Sequence, residues 1–79
     1  MMAKRIERLY AWVMTEPDGG EGIPGMQHGP GVWGPMIGAD RERVESYREL
    51  AREMQHRLGL PVRLVCFERR VDLERLNDA

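Results

Sequence analysis

Between Leu9 and Glu16, apolar residues fill both phases of a two-residue repeat. Tyr10, Trp12 and Met14 fall in one phase, and Leu9, Ala11, Val13 and Thr15 in the other. Aromatic and β-branched content favours a strand, and apolar side chains in both phases suit one covered on both faces. Pro17-Asp18-Gly19-Gly20 ends it with strong turn chemistry. Ile6, Leu9, Tyr10 and Val13 also stand at helical spacing, so a helix is the competing reading of this segment.

The pattern then lapses. Residues 17–38 hold eight of the nine glycines and four of the five prolines, and so predict a Gly/Pro-rich loop. Within it, Val32-Trp33-Gly34-Pro35-Met36-Ile37 predicts a short strand, edge or bulged because Pro35 has no N–H to donate. A helical period follows. Val44, Tyr47, Ala51, Met54 and Leu58 recur at three- and four-residue steps, with Leu50 widening the stripe. Asp40 suits the N-cap, Gly59 a left-handed stop, and Pro61 bars continuation. Arg41–Glu45 and Glu53–Arg57 stand four apart on the polar side.

Val62 to Phe67 is apolar in both phases and predicts the central strand, with Cys66 a buried filler. Asp72 is placed to cap a last helical turn carrying Leu73 and Leu76. The expected fold is α/β (α+β): a two- to three-stranded sheet with one amphipathic helix packed on one face. Its order is β, loop or short β, α, β, in a single domain over residues 1–79. If the outer strands run parallel, their crossover is right-handed. One helix covers one sheet face, so the other keeps apolar residues for a partner.

Length sharpens that expectation. A 79-residue chain buries a small share of its surface, and a single cysteine forms no internal disulfide, leaving self-association as the source of extra burial. Twelve basic against thirteen acidic residues give no field for a polyanion, so no nucleic-acid partner is expected. No apolar run nears the ~20 residues of a membrane span, and Met1 to Arg8 lacks a signal-peptide core. The expected location is cytoplasmic, with Cys66 reduced.

Candidate chemistry is sparse. Glu16, Asp18 and Glu21 do not match calcium-loop spacing and read as a solvated turn. Glycines ahead of Asp40 evoke a phosphate cradle, but the cap is itself an anion and no phosphate-loop motif is present. His56 suits a helix C-terminus; Ser46 belongs to the helix's charged side and makes no nucleophile–base pair with His28. Trp12, Trp33, Tyr10 and Tyr47 read as core or dimer contacts rather than a base-stacking platform. No catalytic residue, metal ligand or cofactor is assigned. The candidate ligand-binding residues are His28, Glu21 and Trp33, in the glycine-rich segment.

Tyr10-Ala11-Trp12-Val13, Asp18 to Pro24, Gly34 to Asp40, Pro61 to Val65 and Asp72-Leu73-Glu74 together resemble a group of small bacterial proteins of unassigned function. The resemblance implies a domain that stands alone and brings no activity or site residue. The expected function is a small non-enzymatic interaction module acting as a homodimer. The alternatives are a small-ligand binder or enzyme with its site under the glycine-rich loop, and a phage- or plasmid-type regulator that binds another protein.

Overall fold

The computed structural model describes residues 4–77. It is a mixed α+β fold of six strands in two antiparallel sheets with one helical stretch. The strands are β1 (Leu9–Thr15), β2 (Glu21–Gly22), β3 (Gly25–Gly29), β4 (Val32–Pro35), β5 (Ile37–Gly38) and β6 (Val62–Phe67). The helices are α1 (Arg41–Glu45) and α2 (Arg48–Leu58).

The centre of the main sheet is β1 rather than β6. Along one side β1 pairs with β6 from Leu9↔Phe67 to Met14↔Val62; along the other, Tyr10 and Ala11 meet β5 and Met14 and Thr15 meet β2. β1 and β6 are therefore antiparallel, while β5 and β6, each antiparallel to β1 on opposite sides of it, run parallel to each other and are joined through the helix. Apolar content in both phases does mark the central strand, but it is β1 that meets the criterion in full: Ala11, Trp12 and Val13 are all buried. In β6, Arg63, Cys66 and Phe67 are exposed, as befits an edge.

The glycine-rich segment is mostly strand. Glu16 C=O accepts from Gly19 N–H and Glu16 N–H donates to Gly20 C=O, closing a tight hairpin with Gly19 at φ 89°. Antiparallel β3 and β4 form a ribbon of their own, with His28 at a register shift between Gln27 and Gly29. Short hydrogen-bonded pieces replace the expected loop because each turn is closed by a left-handed glycine, Gly19 or Gly31.

The helix lies where its period places it. Asp40 Oδ1 accepts from Glu42 N–H at 3.0 Å and Arg43 N–H at 3.4 Å, and Gly59 ends α2 at φ 67°. A turn at Ser46–Tyr47 divides it. There the Trp12 indole N–H donates to Val44 C=O at 2.7 Å, the Tyr47 N–H closes a tighter turn on the same carbonyl, and the Ser46 hydroxyl donates to Arg43 C=O. Of the expected i,i+4 pairs, Arg41–Glu45 is made at 3.0 Å, and the hydrogen bond to Glu45 raises the Arg41 pKa further; Arg52 pairs with Glu49. No helical turn follows Asp72: residues 71–77 form no regular element.

The core sits between the sheet and the helix. Trp12, Met36, Val44 and Ala51 are buried together, with Tyr10, Tyr47, Leu50, Met54, Val62 and Leu64 packed around them. Gly38 is tight here, because a Cβ on it would lie 3.1 Å from Val44 Cγ2, and Val44 is fully buried. Gly38→Ala is therefore expected to destabilise the fold by about 1–3 kcal/mol, the usual range for overpacking, measured as a lower urea midpoint at unchanged slope.

Candidate interaction surface

The three candidate ligand residues are not brought together. Glu21 sits on β2 opposite Thr15, His28 on β3, and Trp33 on β4 opposite Gln27. Among the described residues no hydrogen bond or ion pair joins them. The His28 ring meets Tyr47 edge-on at 6.0 Å and lies across Gly34, whose missing Cβ would stand 3.0 Å from His28 Cδ2. That contact docks the ribbon against the helix. Trp33 is 70% exposed while Trp12 and Met36 are buried, so these residues do not line a common pocket.

The other candidates for chemistry are occupied structurally. Ser46 is held by its bond to a helix carbonyl. Asp18 Oδ1 accepts from Gly20 N–H at 2.8 Å inside the hairpin turn. Cys66 is exposed rather than buried, because β6 is an edge strand rather than the central one; its thiol lies 3.9 Å from Glu68. Among the described residues, no group of three or more His, Cys, Asp and Glu converges as metal ligands, and no helix is long and apolar enough to cross a membrane.

What the fold does present is apolar surface. Directly paired residues point to the same face, so Trp12 and Leu64 share the helix side while Leu9 and Phe67, and Ala11 with Val65 and Ile37, share the opposite side. On that side Ala11 and Val13 are buried, and exposure is confined to its Leu9–Phe67 end. Beyond it, residues 4–8 run beside 68–71: Arg8 pairs with Glu68 at 3.6 Å, and Arg70 donates to Ile6 C=O at 3.3 Å. A groove of about 590 Å³ lies along this arm, with Ile6, Leu9, Phe67 and Val71 among its lining residues. Those four are 56%, 38%, 46% and 59% exposed, which makes them a contiguous patch rather than scattered side chains. Arg5, Arg69 and Arg70 also line the groove.

Sequence reasoning missed the arm because Lys4 to Arg8 and Glu68 to Val71 each read as charged chain ends. Only their antiparallel pairing, set by the β1–β6 register, brings Ile6 and Val71 to one groove. The molecule is extended. Its radius of gyration is 15.0 Å, against about 12 Å for a compact domain of this length. Compared with known proteins, the chain matches no family model, no curated protein and no solved structure, and the resemblance to small bacterial proteins finds no counterpart among them.

Proposed function

We propose that the chain is a small non-enzymatic interaction module that works as a homodimer. The observation that carries this reading is the exposed apolar patch of Ile6, Leu9, Phe67 and Val71, which takes in the Leu9–Phe67 end of the sheet's side away from the helix. A single helical layer covers one side of a four-stranded sheet, and the buried core is a short set of residues around Trp12 and Val44. A second copy adds the burial that so short a chain lacks.

Self-association has a thermodynamic signature that needs no knowledge of the interface. Binding that involves only folded chains raises the melting temperature with protein concentration. For the homodimer, Tm is expected to climb steadily as the sample is concentrated, followed by far-UV circular dichroism. A Tm independent of concentration, with the unfolding reversible, would overturn the reading.

A further inference from the structure

We propose that two copies join edge to edge along β6, antiparallel, with Val65 opposite the second copy's Val65. This rests on the homodimer reading and says where the second copy docks.

The hydrogen-bond directions in the sheet carry the inference. Thr15 N–H donates to Pro61 C=O at 3.0 Å, and the register continues unbroken from there to Leu9↔Phe67. Stepping by two, Arg63, Val65 and Phe67 turn their amides toward β1. Trp12 N–H donates to Met36 C=O at 3.1 Å on the other side of β1, which fixes the same alternation independently. The even-numbered residues of β6 therefore point their backbone groups outward. Val62 obeys this: its N–H is taken by the Gln55 side chain at 2.9 Å. Leu64 and Cys66 come next, and among the described residues no strand pairs with this edge.

Such an edge is a template for another strand unless charge, proline or a bulge guards it. Here the strand has no proline and no lysine, and Arg63 is its one charged residue. A copy related by a twofold axis normal to the sheet keeps helix side with helix side, so even positions pair with even. Centring on Leu64 would call on Val62 N–H, which Gln55 already holds. Centring on Cys66 would set Arg63 against the second copy's Arg69, a like-charge pair. Centring on Val65 joins Leu64 to the second copy's Cys66 and Cys66 to its Leu64, satisfying the N–H and C=O of each. It also sets Arg63 across from the second copy's Phe67 on the side away from the helix, a favourable cation–ring pairing. The second copy's Arg63 then stands beside Phe67, so the edge pairing covers part of the exposed patch at its Phe67 end.

Amide hydrogen exchange on the full chain, at a concentration where its mass is that of a dimer, reads this edge directly. Leu64 and Cys66 amides are expected to be protected about 100-fold or more, alongside those of Arg63 and Val65. A Cys66→Pro variant removes an outward N–H that the chain itself does not use, and is expected to keep its far-UV spectrum and become monomeric. If the wild-type dimer shows Arg63 and Val65 protected but Leu64 and Cys66 exchanging freely, the edge is not the interface, whatever the variant does, and the homodimer reading survives. A wild-type chain that is monomeric at every concentration overturns both.

Discussion

Trp12→Ala is expected to remove a large part of the stability of this fold. The indole is 5% exposed at the centre of the buried cluster, and its N–H donates to Val44 C=O at 2.7 Å. The Arg48 guanidinium lies 5.2 Å from the ring centroid, adding a cation–ring contact on the helix side. Truncating a buried tryptophan to alanine costs about 3–5 kcal/mol through lost burial and the cavity left behind. A chain of 79 residues has a total stability of roughly 4–12 kcal/mol at ordinary values per residue, so the loss is a large fraction of the total. Trp12→Phe separates the two contributions. It keeps most of the ring and deletes the donor, and is expected to cost about 1–3 kcal/mol. Urea unfolding followed by circular dichroism measures both, and an alanine variant with a wild-type midpoint would show that the helix does not depend on this anchor.

The second large effect is expected at Met36. Its side chain is fully buried against Trp12, Val44 and Ala51, although it lies in a segment rich in glycine and proline. Its backbone is tied on both sides: the N–H donates to Pro24 C=O at 2.9 Å, and the C=O accepts from Trp12 N–H at 3.1 Å. Met36→Ala leaves the ties but opens a cavity, at about 2–5 kcal/mol, while Met36→Leu conserves volume and is expected to cost less than about 1.5 kcal/mol. A near-neutral alanine variant would mean that the β3–β5 segment is not packed as a fixed part of the core.

These two residues also mark how far the chain could be deciphered unaided. Trp12 lies in a run whose apolar phases identify a covered strand, and the Val44–Leu58 period with Asp40 and Gly59 places the helix within a residue at each end. Both signals are local, arising from side-chain spacing and capping chemistry. Met36 shows the opposite case. Its burial follows from Pro24 and Trp12 accepting and donating across the chain, a long-range fact with no periodic trace. The centre of the sheet is hidden from the sequence for a similar reason, since the strand that acquires partners on both sides is decided by the short β2 and β5, whose sequences Glu21-Gly22 and Ile37-Gly38 carry almost no strand signal.

The candidate site was less legible still. His28, Glu21 and Trp33 drew attention as polar and aromatic residues in a glycine-rich stretch, yet His28 packs on Tyr47 and Trp33 faces solvent. The apolar arm depends on Ile6 meeting Val71 across a pairing of the two chain ends, with 64 residues separating Ile6 from the Arg70 that bonds it. Neither end alone is apolar enough to stand out. Counting layers leaves the side away from the helix for a partner, yet Ala11 and Val13 on that side are buried and only its Leu9–Phe67 end is exposed.

Solution mass by light scattering, over a hundredfold range of concentration and with Cys66 kept reduced, bears most directly on the homodimer. Twice the 9.1 kDa of the chain, or a mass rising toward that value as the sample is concentrated, is the expected result. A mass that stays at 9.1 kDa throughout would contradict it, and would leave Ile6, Leu9, Phe67 and Val71 as a surface with no second copy to meet.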